Sequence, residues 1–304
     1  MKEIKKYTDI IRYGKSRTED VLNKGDIISI TEKIDGANAS FRIDNTNELG
    51  VSCYSRNKPL DEYNTLQGFY NWVLNNVIPI KNKLKENYIY FGEWLVQHKV
   101  KYKNVAMKRF WLFSIYDIEK EEYVSDVIVL SEAKRLSLDH VPYFYLGEFV
   151  SFNHLMNFVG KSDLTLEPNE GEGIVVKNIN YKDKFGNQCF VKLVSDKFRE
   201  VKAQKAPKNP NKNEAEKELV MSVLTKPRIE KMLYKLVDEG ELKEDFTIED
   251  MGIILRALGG RLYEDIMKEE GDLFKSYEES VIKRLVGKNT PNLVKEILKE
   301  LGRM

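Results

Sequence analysis

The sequence predicts an α+β protein, with a domain of antiparallel sheets followed by a small all-α domain. Three observations carry this. Short apolar runs with period-two alternation recur through the first two-thirds of the chain, with only a few helical patches between them. The stretch Lys202 to Lys212 then has two prolines and no apolar periodicity, which marks a linker. Beyond it, apolar residues return at helical spacing. A chain of 304 residues has room for both domains. The expected division is 1–204, a linker at 205–213, and 214–304.

The elements follow in order. Residues from Lys5 to Lys24 are polar and receive no assignment. Ile27, Ile28 and Ile30 lead into Thr31-Glu32-Lys33-Ile34-Asp35-Gly36-Ala37-Asn38, and Ala39, Phe41 and Ile43 follow. Lys33 is therefore expected near the end of one strand, with Gly36 allowing a tight reversal into the next. Val51 to Arg56 is a strand ending in a polar residue. Leu66, Phe69, Tyr70, Val73, Leu74, Val77 and Ile78 recur at helical spacing and predict a helix from Tyr63 to Ile78, stopped by Pro79. Tyr88 to Trp94 reads as a strand carrying Glu93, and Phe110 to Ile118 as another. Helical patches near Ser131–Leu138 and Ser151–Val159 flank a strand from Tyr143 to Val150. Glu172 to Lys177 and Cys189 to Val194 are two further strands. After the linker, Pro227 to Gly240 has a helix start, an apolar face and a stop. Helical stretches are expected at 248–258, 262–269 and 273–286, and Thr290-Pro291 opens a final helix through Leu301.

Composition excludes several classes. With 42% apolar and 32% charged residues the chain is neither disordered nor membranous. No apolar run approaches a bilayer span, and Met1 to Lys6 lacks the apolar core of a secretory signal. Cys53 and Cys189 lie far apart, fit no metal spacing and fall in strands, so buried thiols in a reducing cytoplasm are expected. His98, His140 and His154 match no triad or metal spacing and read as surface or structural residues. The net charge of +1 is unevenly spread: Lys177 to Lys212 holds ten Lys or Arg against three acids. Lys99, Lys101, Lys103, Lys108 and Arg109 form a second acid-free cluster, whereas Ala206 to Met304 is slightly acidic. A polyanion would meet the first two-thirds and the linker, unless the last helices segregate their charges by face.

Alone, Lys-x-Asp-Gly describes a solvated hairpin as readily as a nucleophile. The order of the pieces is more specific. Lys33 is followed by Ser55-Arg56, then Phe91-Gly92-Glu93, then Tyr116-Asp117-Ile118, then Glu172-Gly173-Ile174-Val175-Val176-Lys177, then Val191-Lys192. Each polar member ends or interrupts an apolar strand, as side chains converging on one cleft would. From Lys33 to Phe198 this series resembles the covalent nucleotidyltransferases, and within them the RNA ligase 2 group.

The resemblance implies a nucleotidyltransferase (adenylation) domain and an ATP-dependent ligase. It would join the 3′-hydroxyl and 5′-phosphate ends of RNA through a lysyl–AMP and an RNA-adenylate, at nicks in duplex RNA. ATP and Mg²⁺ (or Mn²⁺) are the implied cofactors. Catalytic roles would fall to Lys33 as nucleophile, Glu172 as the acid for the metal, and Lys177 and Lys192 at the α-phosphate. Glu32, Ile34, Arg56, Glu93, Tyr116, Lys177 and Lys192 would bind the nucleotide, with Glu93 on the ribose and Tyr116 stacked on adenine. Asn38 and Arg56 would meet nucleic acid, and the helical domain would grip the duplex. As alternatives, Arg56 reads as a surface residue and Tyr116 as a core aromatic. One departure stands out, since the group's second lysine in its last motif is Val194 here, with Lys197 close by. DNA ligases and capping enzymes follow this domain with an OB-fold, which would show short alternating strands rather than helices. A DNA ligase or capping-type nucleotidyltransferase, and a catalytically dead nucleic-acid-binding protein of the same fold, are the alternatives.

Overall fold

The alternating runs form strands β1 (Ile10–Arg12), β2 (Ile27–Lys33), β3 (Ala37–Ile43) and β4 (Val51–Ser55), followed by helix α1 (Phe69–Asn76). Strands β5 (Tyr88–Trp94), β6 (Phe110–Asp117) and β7 (Glu122–Tyr123) come next, then α2 (Asp126–Leu136), β8 (Asp139–His140), β9 (Tyr143–Glu148) and α3 (Phe152–Met156). Strands β10 (Gly173–Lys182) and β11 (Gln188–Val194) complete the sheets. Helices α4 (Lys212–Val223), α5 (Lys226–Asp238), α6 (Met251–Glu270) and α7 (Glu279–Glu300) follow. This computed structural model describes residues 3–18, 20–183, 185–198 and 212–304. It divides into two units, Met1–Ser195 and Asp196–Met304.

The first unit is built on two sheets. One has the order β1-β11-β10-β2-β9, and the other β4-β3-β5-β6-β7 with β8 beside β6. All pairings are antiparallel except β1 with β11 and β8 with β6. Alternation sorts the strand residues into faces. Ile28, Ile30, Ile174 and Val176 turn to a core that includes Leu155 of α3. Ala39, Phe41, Tyr90 and Phe110 turn to another that includes Phe69 and Val73 of α1 and Ala133 of α2. Between these outer cores, Ile89 and Phe91 of one sheet meet Val175 and Phe190 of the other around Tyr7 and Tyr123. The odd-numbered residues of β2, ending in Lys33, share the face that carries Val175, because in-register neighbours point the same way. The second unit is helical, packed around Leu233, Leu258, Leu262, Val294 and Leu298. No helix among the described residues is long and apolar enough to cross a membrane.

Several boundaries differ from the sequence reading. Leu66, Gln67 and Gly68 all have positive φ, so α1 begins at Phe69 and not at Tyr63. Residues 262–269 are not a separate helix: α6 runs unbroken through Gly259 and Gly260 because Ile254, Leu258, Leu262 and Ile266 bury one continuous face. Thr290-Pro291 does not open a helix either. It lies inside α7, where Thr290 Oγ1 donates to the Val286 carbonyl and burial continues through Val294 and Ile297. The expected linker at 205–213 lies outside the described residues as far as 211, and α4 begins at Lys212. Strand β1, in the unassigned polar stretch, went unread.

Candidate active site

Lys33 is the last residue of β2 and lies in register with Gly173 of β10. A side chain at Gly173 would put its Cβ 2.1 Å from the Leu193 carbonyl oxygen, so only glycine lets β10 and β11 approach here. That approach delivers the preceding residue, Glu172, to the lysine. Lys33 Nζ donates to Glu172 Oε2 at 2.5 Å, with 18% and 9% of the two side chains exposed. The ammonium is thus held in a half-enclosed ion pair, fixed in direction by the strand pairing beneath it.

The turn after Lys33 is packed as closely. A Cβ on Gly36 would lie 2.7 Å from the Trp94 carbonyl oxygen, and Gly36 N donates to Glu93 Oε1 at 3.1 Å. The expected reversal at Gly36 therefore requires glycine for close approach to β5, not for a left-handed backbone. Asn38 sits in register with Glu93 across β3 and β5. Burial pushes Glu93 up to about 7, against the pull of Lys33, His98 and the Gly36 amide and with Glu172 adding to the rise. A carboxyl poised there can donate or accept a hydrogen bond near neutrality. Asp35, two residues from the lysine, is gripped from residues 98–102. Its Oδ2 accepts from Lys99 N (2.9 Å) and Val100 N (3.0 Å), His98 Nδ1 lies 3.4 Å from Oδ1, and its own N donates to Tyr102 Oη (2.8 Å).

The other expected lysines, Lys177 and Lys192, lie further along the same face of the sheet as Lys33. Lys177 is buried and donates to Asp126 Oδ1 (2.7 Å) and the Phe113 carbonyl (2.6 Å), and Asp126 also accepts from Ser29 Oγ. It is in register with Ser29, four residues down β2 from Lys33, or about 13 Å along the strand. Its charge is compensated there and not turned on Lys33. Lys192 is buried in a row with Thr31, Val175 and Arg12, so Arg12 joins the face of Lys33 as a cation that sequence reading missed. Val194 lies in register with Gly173, one strand beyond the Lys33 pairing. Arg56 is at the rim, paired with Asp9 at 2.7 Å. Tyr116 is edge-on to Tyr123 beside the inter-sheet cluster, with Lys5 Nζ 4.2 Å from its ring centre. Ile34 is buried.

Glu32 points to the opposite face of β2 from Lys33. It is 2% exposed, and neither carboxylate oxygen is hydrogen-bonded among the described residues. Burial raises it to about 7; the Ser162 hydroxyl is near enough to oppose the rise without closing a bond, and Asp163 adds to it. Both cysteines are free and buried. Among the described residues no three His, Cys, Asp or Glu side chains converge to ligate a metal. Glu172 alone suits a hydrated divalent ion held mainly by phosphate oxygens and water, the mode Mg²⁺ favours.

A sequence profile of the RNA ligase family matches residues 26–194, more than half of the chain and every residue of this site except Arg12. The chain belongs to the RNA ligase family. No curated protein matches the sequence. Among solved structures, similar ones include the RNA ligase of Naegleria gruberi with pyrophosphate, at 22% identity and a TM-score of 0.47 over 64% of this chain and 57% of that one. A lysine mutant of that ligase with ATP and Mn matches at 21% identity and 0.46 over 64% and 56%. A further mutant with AMP and Mn matches at 20% and 0.43 over 62% and 57%. The chain spans little more than half the length of those ligases.

Proposed function

We propose that this RNA ligase family member is an ATP-dependent enzyme that joins a 3′-hydroxyl to a 5′-phosphate, at nicks in duplex RNA. The observation that carries the reading is the half-enclosed Lys33–Glu172 pair at the end of β2, with Glu93 and Asp35 around the same turn. Deprotonated Lys33 Nζ attacks the α-phosphorus of ATP, a P–N bond forms, and the α–β phosphoanhydride breaks to release pyrophosphate. The AMP then passes to a 5′-phosphate, and a 3′-hydroxyl displaces it to make the phosphodiester. These in-line transfers draw their acceleration from positioning and charge neutralisation. Structures of the Naegleria ligase with ATP, AMP, pyrophosphate and Mn support ATP and a divalent cation as its requirements.

A divalent ion bound beside Glu172 would neutralise phosphate charge during these steps. Glu93 suits the ribose hydroxyls, and Lys192 with Arg12 supplies the cations for the phosphate chain in place of a lysine at Val194. Tyr116 and Val175 offer apolar surface for the base, with Glu32 and Ile34 beside it through their backbone. Asn38 and Arg56 lie where the nucleic-acid ends would come. RNA contact by the helical unit is assigned to α7, where Arg284, Lys288, Asn292, Lys295 and Lys299 occupy one exposed stripe.

The decisive experiment is intact mass spectrometry after incubation with ATP and Mg²⁺, following pyrophosphate treatment to discharge any AMP already present. Wild type should gain one AMP and Lys33→Ala should gain none. An unlabelled wild type, or a labelled Lys33→Ala, rules the mechanism out.

A further inference from the structure

Lys33 ends its strand, so its aim depends on what fixes the turn that follows, residues 34–36. Two grips come from side chains of that turn and its neighbour on β5: Glu93 accepts from Gly36 N, and Asp35 accepts from Lys99 N and Val100 N. The amide donors to Asp35 come from the backbone, so a simple staple between the two segments would need no particular side chain at 98 or 102. The structure adds two. His98 is 7% exposed and its Nδ1 faces Asp35 Oδ1, while the Tyr102 hydroxyl accepts from the Asp35 amide. An ionised carboxylate only accepts, so the proton between Asp35 and His98 belongs to the imidazole. Asp35 is ionised across the working range: burial would raise it, but His98, Lys33 and the Val100 amide outweigh burial and hold it at about 2. The charges facing this contact are Asp35, Glu93 and Lys33, which places His98 at the hub of the lysine's surroundings and not in an apolar core.

We propose that His98, with Tyr102, is a positioning residue for the charging of Lys33: by locking Asp35 it holds the turn that directs Nζ at the α-phosphorus. This deepens the reading of the chain as a ligase that charges Lys33, and rests on it. The role is specific to steps in which Lys33 forms or breaks its bond to phosphorus. Sealing of a strand that already carries a 5′-adenylate bypasses Lys33 as nucleophile and is the internal control.

The test measures two rates for wild type, His98→Ala, His98→Asn and Tyr102→Phe: single-turnover transfer of labelled AMP from ATP to the protein, and sealing of a nicked RNA duplex with a chemically 5′-adenylylated end. His98→Ala should slow charging about 10- to 100-fold, with apparent KM for ATP little changed, and should seal the adenylylated nick within about threefold of wild type. His98→Asn, which keeps an N–H near Nδ1, should recover most of the charging rate. Tyr102→Phe, which loses only a hydroxyl, should show the same step selectivity at smaller size, and it serves if His98→Ala fails to fold. Equal losses in both steps, or normal charging in His98→Ala and Tyr102→Phe, overturn the proposal. A wild type that takes up no AMP removes the ligase reading itself, whereas a charged wild type with normally charging variants removes this inference alone.

Discussion

Glu32 and Asp35 lie three positions apart on the strand and turn around Lys33, yet their carboxyls sit at opposite ends of the acid range, at about 7 and about 2. Both are largely removed from water, so burial alone does not separate them. The difference is in the donors. Asp35 accepts from two backbone amides and faces His98 and Lys33, while neither oxygen of Glu32 is bonded among the described residues. A buried acid with a raised pKa holds its proton more tightly in the folded chain than in the unfolded one. The stability this site contributes is therefore intact below about pH 4.5 and is lost as pH rises through about 7. The shift corresponds to an upper bound of roughly 3 kcal/mol. Glu32→Gln should remove that slope: in urea unfolding it should match wild type near pH 5 and exceed it near pH 8. A difference that stays constant with pH would show that Glu32 is not the group responsible.

At the scale of elements, the sheets were legible because each strand is short, alternates and ends in a polar or glycine signal. Lys33, Glu93 and Glu172 could be read as strand-end residues, and register then brings them to the same end of the sheets. What could not be read depends on pairing between distant segments. Strand β1 is three residues long and its partner β11 lies at the other end of the domain, so no local pattern announces Arg12. Lys177 fits its motif by type, but Asp126 at the start of α2 decides where its charge goes. His98 and Tyr102 gain meaning only once the segment after β5 folds back on the turn at Asp35. The helices failed in the opposite direction, since Gly259-Gly260 and Thr290-Pro291 are strong local breakers overruled by continuous buried faces. Gly260 is exposed and a Cβ there meets nothing within 4 Å, so its flexibility opposes the helix without easing any contact. Gly260→Ala should raise the stability of the helical unit by about 0.5–1 kcal/mol. Urea unfolding followed by helical ellipticity measures this, and a lowered midpoint would mean that the glycine is required.

Over the whole molecule, a net charge of +1 conceals how the last third divides its charges. That region is slightly acidic in total, yet several of its acids are held in ion pairs. Arg228 is 1% exposed and binds Asp265 and Glu270 in the interior. Lys226 holds Glu296 and Glu300 of α7, at 2.8 and 2.6 Å, along one edge of that helix. Next to this neutralised edge, Arg284, Lys288, Lys295 and Lys299 follow one another at helical spacing with Asn292 between them, all exposed, and no acid interrupts the stripe. It runs about 22 Å along the helix, opposite the face that buries Ile282, Val286 and Ile297. A polyanion with regularly spaced charges complements such a ridge, and each phosphate neutralised releases counterions. Lys288→Glu combined with Lys295→Glu should therefore weaken binding to nicked RNA duplex and reduce the slope of log affinity against log salt by about two. The groups named around Lys33 all belong to the sheet unit, so labelling by ATP should stay at the wild-type rate. RNA affinity and salt slope unchanged in the double variant would move the contact surface off α7, and lost labelling would show that the ridge serves the charging step instead.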